Sequence, residues 1–176
     1  MIAWGARVSP DFRNKVISIC ADLGIPPDWL MACMYFESGL NPQAVNKAGS
    51  GATGLIQFMP STARSLGTST ELLAAMSGID QLAYVWKYFR HWAGLLHTLE
   101  DVYMTILWPS AIGKPDDYPL FDRDKMPKTY GQNAGLDDDR NGVDEPTDHD
   151  GKISKWEASA CVRAALAKGL LPQNIG

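Results

Sequence analysis

The chain has 176 residues, 45% of them hydrophobic and 20% charged, with 16 Lys and Arg against 20 Asp and Glu for a formal net charge of -4. That length holds one sizeable core, or one domain with a small appendage, and the apolar content excludes wholesale disorder. No apolar run approaches the roughly 18 residues that span a bilayer, and Met1 to Asp11 lacks the basic and apolar regions of a secretory signal, so synthesis as a soluble cytoplasmic product is expected.

Ser9-Pro10-Asp11 predicts a helix start, with Ser as N-cap and Pro at the first helical position. Phe12, Val16, Ile19 and Leu23 follow at helical spacing until Gly24 and Pro26-Pro27. A second helix is expected from Pro27-Asp28, carrying Leu30, Cys33, Met34 and Glu37 on one face and ended by Gly39. Residues 41–54 read as a Gly/Ser/Asn loop, and Met59-Pro60-Ser61 opens a short helix closed by Gly67. Another helical stretch starts at Thr70, and a longer one over about 78–93 carries Ile79, Leu82, Ala83, Trp86 and Phe89 or Arg90. Thr98-Leu99-Glu100-Asp101 resembles a capping box before Val102, Ile106 and Leu107. Residues 108–152, rich in Pro, Gly and Asp, read as loop-dominated. Ser154-Lys155-Trp156-Glu157 then starts a last helix running to about Lys168-Gly169. No convincing strand pattern or internal repeat is present, so a mainly α fold is expected.

Charge is unevenly spread. Residues 116–157 hold 12 of the 20 acids and 6 of the 16 basic residues, which is -6 there and +2 for the rest. No basic stripe interleaved with aromatics supports nucleic-acid binding. Cys20, Cys33 and Cys161 are too few and scattered for a disulfide framework and read as small core residues.

Glu37 is the most informative residue, because it occupies the fourth position of an otherwise apolar helix face. A carboxylate there is partly desolvated and lies in the last turn, where the helix dipole is negative. Both effects push its pKa upward, as a proton donor near neutral pH requires. The alternative is a solvated C-terminal residue on a slightly turned helix. Asp80, Asp101, Glu71 and Glu100 sit in helical contexts with ordinary surface or capping explanations.

Glu37-Ser38-Gly39-Leu40-Asn41-Pro42, followed after the Gly-rich loop by Gly54-Leu55-Ile56-Gln57-Phe58-Met59-Pro60-Ser61-Thr62-Ala63, resembles the lytic transglycosylase family with its goose-type lysozyme-like fold. The resemblance covers about residues 10–112 and is most specific at 37–63. It implies cleavage of the β-1,4 bond between N-acetylmuramic acid and N-acetylglucosamine in peptidoglycan, with Glu37 as the catalytic residue. Gln57 and Met59 match positions lining the substrate groove; otherwise Met59 is core and Gln57 a loop-bracing amide. The glycine spacing of residues 49–54 also suits a phosphate loop, but Leu55-Ile56 replaces the Lys-Ser/Thr such a loop needs.

Ordinary glycoside hydrolysis uses two carboxylates. One suffices if Glu37 protonates the glycosidic oxygen and then deprotonates the muramoyl C6 hydroxyl, giving a 1,6-anhydro product, and the resemblance implies this route. A hydrolytic lysozyme on the same fold and a noncatalytic glycan-binding virion protein stay open as alternatives. The chain departs from the family where Asn46 replaces a Ser nine residues after Glu37, and where Tyr103 to Gly113 replaces the A-x-Y-N-x-G motif. Asn46 and Tyr103 are expected to reach the substrate, against a core role for Tyr103.

The acidic segment has calcium-like spacing. Asp137, Asp139 and Asn141 fit positions 1, 3 and 5 of an EF-hand loop with Gly142 at position 6, and Asp148, Asp150 and Glu157 fit the later half of such a loop around Gly151. Asp137 to Gly151 spans fourteen residues where such loops need five, so nine are inserted. One structural calcium is expected from these six residues; the alternative is a solvated acidic loop with Glu157 as the capping-box partner of Ser154. His91, His97 and His149 show no zinc spacing, and no catalytic cofactor is needed. Several phage-encoded muralytic proteins resemble the chain in carrying Y-x-Q-N-x-G-L-D before one calcium loop, matched by Tyr130 to Asp137. The expectation is a lysozyme-like catalytic core at 1–113 and an acidic calcium-loop extension at 114–176, in a monomeric endolysin or virion-carried enzyme acting on the cell wall.

Overall fold

Several helix starts are set by short polar side chains that accept the backbone N–H three residues on. Ser9, Ser69, Ser77, Thr98 and Ser154 each do so, satisfying a donor that has no partner inside the helix. A computed structural model describes residues 1–137 and 150–176. It contains two compact units, Met1–Gly94 with Ala165–Gly176, and Leu95–Ala164.

The first unit holds α1 (Pro10–Leu23), α2 (Pro27–Ser38), α3 (Pro60–Ser65), α4 (Thr70–Ala75) and α5 (Gly78–Phe89). α1 packs on α2 and α5 through Phe12, Val16, Ile19, Cys20 and Leu23. Gly24 takes the left-handed conformation that ends α1 (φ 72°), and α2 leaves at 117° to it. Leu30 to Met34 are buried without interruption, so α2 is a core helix rather than a surface one with a single apolar stripe. Its outer end is braced by Trp4, which stacks on Tyr35 with centroids 3.4 Å apart and donates from Nε1 to Ala165 O (2.9 Å). The two ends of the chain meet here as well, Ile2 N–H donating to Gly176 O (2.8 Å). Cys20 and Cys33 are buried and free, and burial, with Asp28 nearby, pushes the Cys20 thiol up to about 12, which keeps it protonated and inert. Among the described residues no single helix is long and apolar enough to cross a membrane.

The second unit holds α6 (Leu99–Leu107), β1 (Pro119–Asp122), α7 (Pro127–Asn133), β2 (Lys152–Ser154) and α8 (Lys155–Ala158). The last helix, α9 (Ala160–Gly169), has residues in both units. β1 and β2 pair antiparallel, Phe121 opposite Ile153 and Asp122 opposite Lys152, with an irregularity between Pro119 and Phe121. The sequence reading of 108–152 as loop without strands is corrected here. Strands of four and three residues are too short to display alternation, and Leu120 to Asp122 are all buried. The single helix expected from Ser154 is likewise two, divided at Ser159.

Two acids read as surface or capping groups need the same correction. Asp101 does serve its helix start, accepting from His97 N–H (3.2 Å), but it is buried and paired with buried Lys155 at 2.6 Å. Lys155 also donates to Lys114 O (2.9 Å), and Asp101 accepts from Gly113 N–H (2.8 Å), so one ion pair closes the turn after α6 onto α8. Glu100 is buried beside Arg163 (3.2 Å), whose guanidinium stacks 3.3 Å above the Trp156 ring.

Candidate active site

Glu37 sits in the last turn of α2, half-buried, one residue before the helix ends at Ser38 and Gly39. Gly39 and Leu40 both adopt the left-handed conformation (φ 65°), and their N–H groups return to Tyr35 O and Met34 O. The double reversal stops α2 sharply, which keeps Glu37 at the tip of a helix rooted in the core. Burial pushes the Glu37 carboxyl up to about 7. The sequence argument had the direction and the leading cause right.

The loop that follows is built to lie against this tip. Short antiparallel bridges join Val45 to Thr53 and Thr53 to Phe58, and Asn46 N–H donates to Ala52 O (2.8 Å). Asn46, Gln57 and Met59 therefore belong to one folded segment. The Ser38 hydroxyl, adjacent to Glu37, donates to Leu55 O at 3.0 Å, with Met34 O at the same distance.

Gln57 is strained, with φ 52° in a region that favours glycine. Its own amide holds it there, Nε2 donating to Ala44 O (3.2 Å) and Gly54 O (3.1 Å). The loop-bracing role is thus present, and Oε1 is the end of the amide that can meet a ligand. Met59 is 46% exposed, which rules out the core alternative and leaves an adaptable apolar surface. Asn46 is exposed, its Oδ1 accepting from Ala48 N–H (2.7 Å). Tyr103 lies in the second unit, buried in α6.

The expected metal ligands are only partly described. Asp139, Asn141 and Asp148 lie outside the described residues. Asp137 is buried and accepts from the Tyr130 hydroxyl, while Asp150 is exposed and accepts from Lys152 N–H (2.6 Å). Glu157 Oε2 accepts from both Ser154 N–H (2.7 Å) and Ser154 Oγ (2.6 Å), completing a capping box. Among the described residues, no three His, Cys, Asp or Glu side chains come together as a metal-holding group.

Sequence reasoning missed Ser38 as a tether and Gln81, a polar residue on the buried face of α5. Gln81 interrupts an apolar row, Leu82, Val85 and Phe89, as Glu37 interrupts that of α2, so the signal that singled out Glu37 was available for it too.

The model of the transglycosylase SLT domain family matches residues 16–108, just over half of the chain, and no solved structure matches it significantly. The match indicates peptidoglycan degradation of the lytic transglycosylase type and identifies the helical architecture as lysozyme-like.

Proposed function

Because this chain belongs to the transglycosylase SLT domain family, we propose that it cleaves the MurNAc-GlcNAc β-1,4 bond with Glu37 as its single catalytic carboxyl. The observation that carries the reading is a carboxyl at a helix tip whose burial pushes it up to about 7, so that it holds a proton near neutral pH. Glu37 gives that proton to the glycosidic oxygen as the C1–O bond breaks, freeing the GlcNAc 4-hydroxyl. The carboxylate so formed takes the proton of the muramoyl C6 hydroxyl as O6 bonds to C1. The product is 1,6-anhydro-MurNAc, no water is consumed, and Glu37 returns to its starting state.

Supporting acids have other engagements. Glu71 and Asp80 are exposed at helix starts, and Asp101 and Glu100 are held by Lys155 and Arg163. Gln57 Oε1 and the exposed Met59 surface are suited to an acetamido group and a sugar face, with Asn46 as a further proposed contact. Mass spectrometry of digested peptidoglycan tests the mechanism: anhydro-muramoyl ends are expected, and reducing muramic acid ends would assign a hydrolytic lysozyme instead.

We also propose one structural calcium in the acidic segment, with Asp137, Asp139, Asn141, Asp148, Asp150 and Glu157 as candidate ligands. The donor chemistry fits a hard cation, and a carboxylate set this dense repels itself when no cation is bound. Support comes from spacing, since the described members alone do not assemble a site. No step of the reaction passes through the ion. Chelation is expected to lower the melting temperature, and an unchanged melting temperature would remove the proposal. The same segment supports a phage-encoded muralytic enzyme that reaches the wall after membrane breach or within a virion.

A further inference from the structure

Gln81 is completely buried on α5, beside Leu82 and among apolar neighbours. A buried primary amide has one acceptor and two donors to satisfy. All three are met by backbone from separate segments. Oε1 accepts from Leu55 N–H (2.9 Å), while Nε2 donates to Pro42 O (2.6 Å) and Leu73 O (2.7 Å). One side chain therefore joins the turn after α2, the end of the glycine-rich loop and α4. Gly54 is fitted to the same amide: its φ is +86°, and a Cβ added there would run into Gln81 Oε1.

Leu55 is consequently held at both of its backbone groups, its N–H by Gln81 and its carbonyl by the Ser38 hydroxyl (3.0 Å). Ser38 is the residue after Glu37, and Pro42 opens the loop that carries Asn46 and Gln57. We infer that Gln81 is a positioning residue, clamping Leu55 and Pro42 so that the 40–58 loop keeps its register on the Glu37 end of α2. This rests on the reading of Glu37 as the catalytic acid. Packing alone does not call for an amide here, since an apolar side chain of similar volume would fill the space; the three directed bonds specify where the loop stands.

The test is steady-state kinetics on soluble glycan strands with melting temperatures measured alongside. Gln81→Met removes all three bonds at similar volume. Its kcat is expected to fall roughly ten- to a hundredfold with KM little changed, as for a misplaced catalytic group. Gln81→Glu, neutral when protonated, keeps an acceptor for Leu55 and one O–H donor. It is expected to recover most of kcat while its melting temperature stays below that of the wild type. A purely structural role lowers melting temperature in both variants and leaves kcat per folded molecule unchanged, which overturns the inference. Should Gln81→Met fail to fold, Gln81→Asn, whose amide stops one methylene short of Leu55, must show a milder version of the same split, and its absence is equally decisive. Glu37→Gln run in parallel separates the two ideas. Loss of activity there with a wild-type kcat in Gln81→Met sinks the inference alone, whereas an active Glu37→Gln sinks the reading of Glu37 and the inference with it.

Discussion

Glu37 and Asp101 are carboxyl groups withdrawn from water at opposite ends of two helices, one in each unit, and their surroundings drive them in opposite directions. Glu37 lies in the last turn of α2, where burial raises its pKa. Asp101 lies in the first turn of α6. Burial works to raise it too, but hydrogen bonds from Lys155, Gly113 and His97, with the Lys155 charge, hold it below the usual carboxylate range. The difference separates two uses of a buried acid. With a cation and N–H donors it becomes a permanent anion that fastens helix to turn; raised by burial at a helix C-terminus it becomes a group that can give and retake a proton.

The largest expected effect tests the proton-transfer side. Glu37→Gln should reduce lysis of bacterial walls by roughly 10²- to 10⁴-fold, the usual worth of a general acid and base, while circular dichroism stays unchanged. Turbidity loss of a cell-wall suspension measures it, and wild-type lysis would erase the contrast. Breaking the anchoring side comes next. Lys155→Met leaves Asp101 charged and buried, and should cost about 3–5 kcal/mol of unfolding free energy in urea titrations. Asp101→Asn combined with Lys155→Met should recover part of that loss, because the cost lies in the uncompensated charge.

Much of the first unit was legible because its signals are local. Ser9 before Pro10, Gly24 and Gly39 after apolar runs, and Glu37 within such a run each carry their meaning within one or two helical turns. The resemblance at 37–63 then located the loop. What stayed hidden depended on distant partners. Asp101 looked like a capping acid because Lys155 stands 54 positions away. Gln81 breaks an apolar row, but what it does there could not be read locally, because its partners are carbonyls and an N–H in three other segments. β1 and β2 escaped notice because each exists only through the other, across some thirty intervening residues.

Acidity sharpens the contrast further. Glu37 in the folded protein titrates at about 7 against an ordinary 4.5, so the folded state holds this proton more tightly than the unfolded chain. Its contribution is fully present below about 4.5 and is lost as pH rises towards 7, amounting to up to about 3 kcal/mol. Melting curves of Glu37→Gln and the wild type should therefore run together at pH 4 and separate above pH 7, with the variant the more stable. Catalysis should decline over the same upper range as the acid is lost. Asp101 has the reverse sign: its lowered pKa stabilises the fold above its ordinary 3.8, and that stability disappears as pH falls through the lowered value. Asp101→Asn should flatten the acid limb below pH 4 and lower stability across the neutral range, where the pair contributes fully and Lys155 is left buried without its partner.

The smallest effect concerns Glu157, which can serve as a cap, as a calcium ligand, or as both. Its Oε2 is occupied by Ser154, an arrangement worth about 1 kcal/mol. Glutamine supports the same capping box, so Glu157→Gln should melt within about a degree of the wild type in chelator. A ligating Glu157 supplies the ion with charge that glutamine lacks, so the rise in melting temperature on adding calcium should shrink in the variant. An undiminished rise would confine Glu157 to its helix start and leave the ion to the remaining carboxylates, making the capping acid of α8 a third way of using a carboxylate beside those of Glu37 and Asp101.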